Sequence, residues 1–474
     1  MHFVGIGGIG MSGIAELLSN LGYVVTGSDE KRSSVTERLS GLGIRVAYGH
    51  DAAHVGEAEV VVVSSAVRPA NPEVVEAARR QVPVIPRAEM LAELMRLRYA
   101  IAVAGAHGKT TTTSMIALVL ERAGLDPTAV IGGRLSAFGG NARLGRGELM
   151  VAEADESDRS FLKLFPTIAV ITNIDDEHLE SYGGFEDLQQ AFVDFANKVP
   201  FYGAVVACAD DPHLAEVLPR MTRRVTTYGL DAPGADLTAT DVACGPLAAR
   251  ATVVQRVRRA PALQVAEVSL GSLSLHVPGR HNLQNALAAV VVGLELGLSF
   301  DRIAAGLHDF RGVERRFEVR GEPNGILVVD DYGHHPTEIA AVLEAARALN
   351  RRMVVAFQPH RYTRTAALLD RFGPSLSGAD HIVLTGIYGA GEDPIPGVTL
   401  DALAASVRQS AGAPVDVVPR LEDVPLALAR LARPGDVVIT LGAGSIGTVP
   451  ERLLELLTAP RGRHASADAG KEGA

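Results

Sequence analysis

Short runs rich in valine and isoleucine alternate with segments of helical periodicity along most of the chain. This alternation predicts an α/β fold in which parallel sheets carry helices on both faces. The chain has 474 residues, of which 47% are hydrophobic, so it can form several cores. A chain of this length suggests about three domains. We place them at residues 1–98, 99–312 and 313–460, and we predict a disordered tail at 461–474.

The composition argues against several classes of protein. A net charge of −10 is unusual for a nucleic-acid binder. The two cysteines, Cys208 and Cys244, form neither a CxxC pair nor a cluster with histidines, so a zinc site or a disulfide framework is not expected. The N-terminus lacks the basic region of a signal peptide, and no apolar run of about twenty residues occurs. We therefore predict a cytoplasmic protein that does not bind membranes.

A polar loop joins a predicted strand to a helix near residue 105. It contains Gly105, Ala106, His107, Gly108, Lys109, Thr110 and Thr111. A strand–loop–helix directs backbone N–H groups and the positive end of a helix toward one point, which suits phosphate. Lys109 can reach the outer phosphates, and Thr110 can hold Mg²⁺. The usual spacing needs glycine where this chain has Val103, so the match is to a shorter form, GxxGKT. A polar turn without a ligand is the alternative.

An earlier glycine loop follows the first predicted strand. Gly5, Gly7 and Gly10 form the pattern GxGxxG, and Asp29 ends the second strand at a spacing that suits a carboxylate on a ribose hydroxyl. On these residues alone, the chain could be a nicotinamide-dependent oxidoreductase. A tight turn that binds nothing is the other interpretation.

Acidic residues follow two strands of the second domain. They are Glu153, Asp155, Glu156 and Asp158 after one strand, and Asp175, Asp176, Glu177 and Glu180, with His178, after another. We expect Lys109, Glu153 and His178 to meet, because ligands of open parallel sheets bind beyond the carboxyl ends of the strands. Mg²⁺ prefers oxygen ligands, and two ions can offset the charge of a triphosphate. We interpret five of the acids as solvated turn residues or as residues with a secondary role: Asp155, Glu156, Asp158, Asp175 and Asp176.

Two polar segments lie near the predicted boundary between the second and third domains. Asn282 stands at the start of an apolar helix, which it could cap. Arg315 and Arg316 lie near the predicted domain boundary, where an arginine could bind a phosphate when domains close. A solvated basic turn is an equal alternative for the two arginines.

The third domain has two dense polar loops and a third glycine loop. The first polar loop contains Asp330, Asp331, Tyr332, His334, His335 and Glu338, and the second contains His360, Arg361, Tyr362 and Arg364. Their acids and histidines lack a compact zinc spacing, whereas arginines at a strand end favour an anionic carboxylate. We expect both loops at adjacent strand ends, where they would form a site. We interpret the glycine loop at Gly442, Gly444 and Gly447 as a turn from strand to helix.

Taken together, these motifs resemble those of the Mur ligase family, in the family's order and over nearly the whole chain. They read HFVGIGGIGMSGIAE, GAHGKTTTT, EADESDRSF, TNIDDEHLESYGG, PGRHNLQNA, RRFE, DDYGHHPTE, FQPHRYTRT and LGAGSIG. The resemblance implies a Rossmann-like N-terminal domain that holds the UDP part of a sugar nucleotide. It also implies a central P-loop-type ATPase domain with a parallel sheet, and a Rossmann-like C-terminal domain that holds an amino acid.

Within the family, the match is to the member that joins L-alanine to the carboxylate of UDP-N-acetylmuramate. The implied reaction uses ATP to form an acyl phosphate, which the amine of L-alanine attacks. Such chemistry needs positioning and charge neutralisation more than covalent help from the protein. The implied cofactors are ATP and Mg²⁺, with two ions, and we expect a monomer or a weak homodimer.

The resemblance also implies roles for individual residues. Lys109 resembles the lysine on the β- and γ-phosphates, Thr110 and Glu153 resemble magnesium ligands, and His178 resembles a ligand of the second ion. Other ATP contacts would come from Gly105, Ala106, His107, Gly108, Thr111, Asn282, Arg316 and Asp331, with Asn282 on the adenine. The sugar nucleotide would be held by Gly5, Gly7, Gly8, Gly10, Ser12 and Asp29. L-Alanine would be held by Tyr332, His334, Arg361 and Arg364. The implied catalytic residues are Lys109, Glu153, His178, Arg316 and His334.

Several siblings in the family carry a carbamate-modified lysine in the helix after the position of His178. In this chain Lys198 comes too late in that helix, so no carbamate is expected. The nearest alternative function is the family's recycling ligase, which adds a whole tripeptide to the same sugar nucleotide. A nucleotide-binding regulatory protein without catalysis is a further alternative, which the intact lysine and metal ligands disfavour.

Overall fold

The computed structural model describes residues 1–64, 66–135, 140–177, 179–259 and 264–458. The chain divides into two compact units, one from Met1 to Glu314 and one that begins at Arg315. Three sheets lie at residues 2–86, 99–275 and 318–441. The predicted α/β fold is confirmed, whereas the domain limits at residues 98, 312 and 460 stay predictions. The predicted tail at 461–474 lies outside the described residues.

The first sheet is parallel and Rossmann-like. Its strands are β1 (His2–Val4), β2 (Thr26–Asp29), β3 (Arg45–Tyr48), β4 (Val61–Val63) and β5 (Val84–Pro86). Its helices are α1 (Ile9–Asn20), α2 (Ser34–Gly41), α3 (Pro72–Arg79) and α4 (Arg87–Arg96). The strand order is β3-β2-β1-β4-β5. Helix α2 begins with a capping box made by Ser33 and Thr36, and α3 begins with an Asn71 cap followed by proline.

The second sheet has ten strands. They are β6 (Tyr99–Ala104), β7 (Thr128–Leu135), β8 (Gly140–Arg143), β9 (Leu149–Glu153), β10 (Ile168–Ile171), β11 (Ala204–Cys208), β12 (Val225–Tyr228), β13 (Leu237–Cys244), β14 (Ala249–Arg259) and β15 (Gln264–Leu275). The helices that follow in this part of the chain are α5 (Lys109–Arg122), α6 (Phe185–Asn197), α7 (Pro212–Val217), α8 (Arg280–Glu295) and α9 (Phe300–His308). The strand order is β15-β14-β13-β12-β11-β10-β6-β9-β7-β8.

The middle of this sheet is parallel, and both of its edges are antiparallel. Strands β6, β10 and β11 are almost completely buried, which explains their continuous apolar sequence. By contrast, β13 pairs antiparallel with β14, and β14 pairs antiparallel with β15. At the other edge, β8 pairs antiparallel with β7. The sequence prediction of a parallel sheet holds for the middle strands, and the antiparallel edges were not predicted.

The third sheet has six strands. They are β16 (Glu318–Gly321), β17 (Leu327–Asp331), β18 (Met353–Phe357), β19 (His381–Thr385), β20 (Val415–Val418) and β21 (Val437–Leu441). The helices are α10 (Pro336–Arg347), α11 (Tyr362–Ala367), α12 (Leu369–Leu376), α13 (Leu400–Ser410), α14 (Val424–Leu431) and α15 (Val449–Thr458). The order is β16-β17-β21-β18-β19-β20, and all pairs except β16 with β17 are parallel. A separate apolar cluster covers each face of this sheet.

Short 3₁₀ helices connect several elements. They are Ala52–Val55, Ser160–Lys163, Leu179–Ser181, Leu218–Arg220, Pro323–Gly325, Leu421–Asp423 and Ser445–Thr448. Among the described residues, every helix is either too short or too polar to cross a bilayer.

Candidate active site

The loop between β6 and α5 is built on two glycines in conformations that other residues rarely adopt. Gly105 has a φ of +135°, and a Cβ at this position would collide with Thr172 Oγ1. Gly108 has a φ of +81°, and a Cβ there would lie 2.7 Å from Asn285 Oδ1. The loop therefore passes close to the end of β10 and to helix α8, and only glycine fits at either position.

The segment after β10 braces this loop. The Asn173 amide accepts a hydrogen bond from the His107 backbone N–H (2.8 Å) and donates one to the His107 carbonyl (3.0 Å). Thr172 Oγ1 donates to the same carbonyl at 2.6 Å. Asp175 lies 2.8 Å from His107 Nε2 and is mostly buried. Of the two interpretations of Asp175, the structure supports the secondary role and not the solvated turn residue, because its carboxylate orients the His107 ring.

Lys109 is folded onto its own loop. Its Nζ donates to the carbonyls of Gly105 (2.6 Å) and Ala106 (3.1 Å) and to Glu156 Oε1 (2.9 Å). Burial disfavours the charge of Lys109, but Glu156 and Asp155 outweigh this effect and raise the pKa of the lysine. The Glu156 side chain is only 3% exposed. Of the two interpretations of Glu156, the structure supports the secondary role and not the solvated turn residue, since Glu156 is the buried counter-ion of Lys109.

Glu153 ends β9 beside the loop. It pairs in register with Val103 of β6, and its Oε1 accepts a hydrogen bond from the Gly132 N–H at 2.7 Å. Thr110, half-buried, is the second residue of α5, and Thr111 follows it into the interior. Strand β6 lies between β9 and β10, so the segments after these three strands emerge side by side. His178, which follows β10, lies outside the described residues, and its role stays a prediction.

Asn282 does not cap its helix. The N-cap of α8 is Gly279, and the buried Asn282 amide donates to the Pro278 carbonyl at 2.7 Å. Asn285, one turn later, accepts a hydrogen bond from Thr112 Oγ1 at 3.2 Å and so connects α8 to α5. The capping interpretation of Asn282 is therefore wrong, and its predicted contact with adenine stays a prediction.

The N-terminal glycine loop is held by Asp29. The Gly7 N–H donates to Asp29 Oδ2 at 2.8 Å, and a Cβ on Gly7 would lie 2.8 Å from the same oxygen. Gly5 has a φ of +76°, and Gly8 is the N-cap residue of α1. Gly10 and the fully buried Ser12 lie in the first turns of α1. Asp29 thus fixes the loop backbone, and its predicted contact with a ribose stays a prediction.

The first polar loop of the C-terminal unit is buried and paired. Asp331 accepts hydrogen bonds from the N–H groups of Gly333 (2.6 Å) and Phe317 (2.7 Å). Burial raises the pKa of Asp331 to about 6, although the charge of Arg316 acts in the opposite direction. Arg316 contacts Glu338 at 3.2 Å, and its guanidinium lies 5.2 Å from the centre of the Tyr332 ring.

Arg315 has a structural position in the same unit. Its Nε lies 2.8 Å from Asp330 Oδ2, and its Nη2 donates to the Gly442 carbonyl at 2.6 Å. A Cβ on Gly447 would lie 2.5 Å from its Cζ. The alternative of a solvated basic turn is wrong for Arg315 and for Arg316, because both are largely buried and ion-paired.

The two polar loops of this unit do not follow adjacent strands, as we had expected. Strand β21 lies between β17 and β18, so the glycine loop after β21 separates the two polar loops. The side chains nevertheless meet: the His334 ring lies 5.6 Å from that of Tyr332 and 5.5 Å from that of His360. Arg364 Nη1 lies 3.1 Å from His360 Nδ1.

Three family models match consecutive parts of the chain. They are the Mur ligase family catalytic domain at residues 1–99, the Mur ligase middle domain at 103–293, and the Mur ligase glutamate ligase domain at 315–444. The chain belongs to the Mur ligase family. The family prediction from the motifs is confirmed, and the oxidoreductase interpretation of the first glycine loop is wrong.

Individual Mur ligases match over nearly the whole chain. A UDP-N-acetylmuramate–L-alanine ligase from Geobacter sp. (strain M21) is 53% identical over 463 residues, which cover 97% of this chain and 98% of that protein. The crystal structure of a UDP-N-acetylmuramate-alanine ligase from Thermotoga maritima is 30% identical, with a TM-score of 0.80 over 96% of this chain and 98% of that one. A murein peptide ligase from Psychrobacter arcticus is 26% identical, with a TM-score of 0.70 over 97% of this chain and 98% of that one.

One residue of this Mur ligase that the motifs did not reveal is Arg87, the first residue of α4. Its guanidinium lies where a Cβ on Gly10 would be, and its Nη2 lies 3.4 Å from Asp155 Oδ2. Arg87 therefore connects the N-terminal glycine loop to the acidic segment after β9. The sequence could have indicated Arg87 as a site residue, because it directly follows β5 and residues beyond the carboxyl ends of parallel strands line ligand sites.

Proposed function

We propose that this chain joins L-alanine to the carboxylate of UDP-N-acetylmuramate, with conversion of ATP to ADP and phosphate, in peptidoglycan precursor synthesis. The observation that carries the proposal is the 53% identity, over 97% of the chain, to a ligase named for this reaction. The braced loop around Lys109 supports it independently. That loop combines a strand, two obligatory glycines and a buried lysine in the arrangement that phosphate-binding loops use.

The chemistry has two steps. The substrate carboxylate attacks the γ-phosphorus of ATP, ADP leaves, and an acyl phosphate forms. The alanine amine then attacks the carbonyl carbon, and inorganic phosphate leaves with the former carboxylate oxygen. In this scheme Lys109 turns from its loop carbonyls and Glu156 toward the β- and γ-phosphates, where its charge offsets the charge that moves to ADP.

The residues near this loop fit a magnesium–ATP complex. The Thr110 hydroxyl and the Glu153 carboxylate are the hard oxygen donors that Mg²⁺ takes, and Glu153 stands at the strand end next to the loop. We assign Thr110 and Glu153 to a first ion, and Glu153 with His178 to a second ion. Bound magnesium would neutralise phosphate charge and orient the γ-phosphate. The other ATP contacts that we propose are the loop residues Gly105, Ala106, His107, Gly108 and Thr111, with Asn282, Arg316 and Asp331.

The remaining assignments concern the other two substrates. We assign the sugar nucleotide to the first glycine loop, with Gly5, Gly7, Gly8, Gly10, Ser12 and Asp29. We assign L-alanine to Tyr332, His334, Arg361 and Arg364. The arginines would hold its carboxylate by paired hydrogen bonds, and His334 would position its amine. We also propose that the enzyme acts in the cytoplasm as a monomer or a weak homodimer.

Phosphate release by the purified protein tests the proposal. With Mg²⁺, we expect release only when ATP, UDP-N-acetylmuramate and L-alanine are all present, with a product that has the mass of the amide. Release that persists without L-alanine or without the sugar nucleotide, or no release with all three, would overturn the proposal.

The recycling ligase is a second candidate, because a murein peptide ligase shares the fold over nearly the whole chain. L-Alanyl-γ-D-glutamyl-meso-diaminopimelate should be a poor acceptor if the proposal is correct. A higher kcat/KM for this tripeptide than for L-alanine would favour the recycling reaction instead.

A further inference from the structure

The backbone of Arg361 is strained. Its φ is +68° and its ψ is 142°, close to a region that is otherwise nearly confined to glycine. Strain of this kind persists only where neighbouring contacts determine the conformation. Arg361 is the N-cap residue of the short helix α11, so this conformation sets the direction in which its side chain leaves the loop.

The segment after β19, from Tyr388 to Glu392, supplies those contacts. The Arg361 N–H donates to the Tyr388 carbonyl (2.8 Å), and the Tyr388 N–H donates to the Pro359 carbonyl (2.9 Å). These bonds extend the parallel pairing of β18 with β19 by one bridge beyond the strands. The strained residue is thus fixed from a neighbouring loop as well as by its own helix, where Thr365 donates two hydrogen bonds to its carbonyl.

Glu392 closes the same segment onto the arginine loop. Its carboxylate accepts hydrogen bonds from the Thr363 N–H (3.1 Å) and from the Thr363 hydroxyl (2.7 Å). Its Oε1 also lies 4.0 Å from Arg361 Nε. One acidic side chain therefore fixes the first turn of α11 and places a negative charge on the Nε side of the arginine. The terminal nitrogens of a guanidinium are the fork that binds a carboxylate end-on.

The aromatic part of the segment packs on the other polar residues of the loop. The Tyr388 ring stacks on the His360 ring at 5.6 Å with an angle of 18° between the planes. A Cβ on Gly444 would lie 2.7 Å from the Tyr388 ring. The third glycine loop thus has a steric role besides turning a strand into a helix, because it gives Tyr388 room to stack.

We propose that Glu392 is a positioning residue for the amino-acid substrate, which it affects by holding Arg361 and the turn around it. This inference rests on the proposed function, in which Arg361 binds the substrate carboxylate. Glu392 itself does not touch the substrate. It sets the orientation of the group that does.

Substrate kinetics of Glu392→Ala test the inference. We expect the KM for L-alanine to rise about tenfold or more, because the arginine loses its fixed orientation. The KM values for ATP and for the sugar nucleotide should change less than about twofold. Glu392→Gln keeps the acceptor for Thr363 but removes the charge, so its KM for L-alanine should lie in between. The matched control is Glu322→Ala, which removes a carboxylate from a surface ion pair with Arg351 in the same unit and should leave all KM values unchanged.

Combination with Arg361→Ala separates positioning from a purely structural role. If Glu392 acts through the arginine, the double variant should have the same KM for L-alanine as Arg361→Ala alone. An unchanged KM for L-alanine in Glu392→Ala, a parallel rise for all three substrates, or additive effects in the double variant would overturn the inference. Absence of alanine-dependent turnover in the unmodified enzyme would instead overturn the proposed function.

Discussion

At the scale of single residues, the loop between β6 and α5 contains a buried ion pair. Lys109 and Glu156 lie 2.9 Å apart, and the glutamate side chain is almost inaccessible to solvent. The sequence pattern identified the lysine but not its partner. Glu153 ends β9 and Glu156 lies beyond it, and periodicity does not indicate which acidic residue turns inward once the strand has ended.

Removal of Lys109 should abolish catalysis without affecting the sugar nucleotide site. We expect Lys109→Ala to lower alanine-dependent ATP turnover by about a hundredfold or more, because it removes the cation nearest the transferred phosphoryl group. UDP-N-acetylmuramate should still bind, as measured by calorimetry, because its predicted loop lies on another sheet.

Two further variants serve as controls for Lys109→Ala. Lys163→Ala removes an exposed lysine that pairs with Glu89, and it should retain full turnover. Because Lys109→Ala leaves Glu156 buried without a cation, the double variant with Glu156→Gln keeps the interior neutral. Turnover close to that of the unmodified enzyme in the double variant would contradict the role of Lys109.

Asp331 gives a pH dependence of known sign. The pKa of Asp331 in the folded protein is about 6, above the usual 3.8. The contribution of Asp331 to the free energy of unfolding is therefore largest below about pH 4 and is lost as the pH rises through about 6. The change corresponds to about 3 kcal/mol. Hydrogen exchange of the β17 amides should therefore become faster between pH 4 and 7, beyond the intrinsic pH effect. Asp331→Asn should remove this excess and exposed Asp401→Asn should not; equal profiles for both variants would refute the assignment.

At the scale of elements, Gly105 in the loop between β6 and α5 is subject to two separate constraints, of which Gly124 beyond α5 has only one. Gly105 needs a positive φ and also needs space beside Thr172, whereas Gly124, just after α5, needs a positive φ with no atom nearby. A comparison of these two positions therefore separates backbone strain from collision.

Gly105→Ala should damage the loop more than Gly124→Ala. We expect Gly124→Ala to cost about 1 kcal/mol of stability from backbone strain alone. Gly105→Ala adds a collision with Thr172 and should also raise the KM for ATP. Thermal denaturation and ATP kinetics of both variants provide the comparison. An unchanged KM for ATP in Gly105→Ala would mean that the packing of this loop does not determine nucleotide binding.

Helix α3 is tied to the first sheet by a buried carboxylate. Glu73 is completely buried, and its oxygens lie 2.6 Å from His2 Nε2, 2.8 Å from His50 Nδ1 and 2.7 Å from Ser28 Oγ. His54 also faces it, at 3.7 Å. Although burial opposes its charge, the hydrogen bonds from His2, Ser28 and His50 lower the pKa of Glu73.

This cluster predicts a loss of stability in acid. The pKa of Glu73 in the folded protein lies below its usual value. Its contribution to the free energy of unfolding is therefore present above about pH 4.5, and it is lost as the pH falls through the pKa of the folded state. Glu73→Gln should cost about 1–3 kcal/mol at pH 7, because it removes a buried hydrogen-bond acceptor shared by His2, His50 and Ser28. Glu76→Gln, which changes a glutamate paired with Arg79 on the same helix, should lower the melting temperature much less. Equal melting temperatures for the two variants would contradict the assigned role of Glu73.

At the scale of the whole molecule, the sequence predicted the fold class and the order of the glycine loops well. The buried parallel strands β6 and β10 appear in the sequence as continuous apolar runs, and the glycine loop that contains Lys109 follows β6. The order of strands within a sheet, by contrast, cannot be predicted from the residues of the individual strands. Nothing in the residues of β21 indicates that it lies between β17 and β18, which is why the two polar loops were wrongly expected at adjacent strand ends.

Side-chain partnerships across the fold were equally hidden from the sequence. Arg87 reaches Asp155 across 68 positions, and Glu392 reaches Thr363 across 29. Such pairs depend on which strand ends the topology places side by side, so they became visible only in three dimensions. The motifs identified the residues expected to bind ligands, and the structure added the residues that hold them in place.

An isotope experiment tests most directly whether the enzyme activates a carboxylate by phosphorylation. UDP-N-acetylmuramate labelled with ¹⁸O in both carboxylate oxygens is incubated with the enzyme, magnesium, ATP and L-alanine, and the released phosphate is analysed by mass spectrometry. We expect each released phosphate to carry one ¹⁸O atom from the carboxylate and the amide product to keep the other. Unlabelled phosphate released together with amide would contradict this expectation.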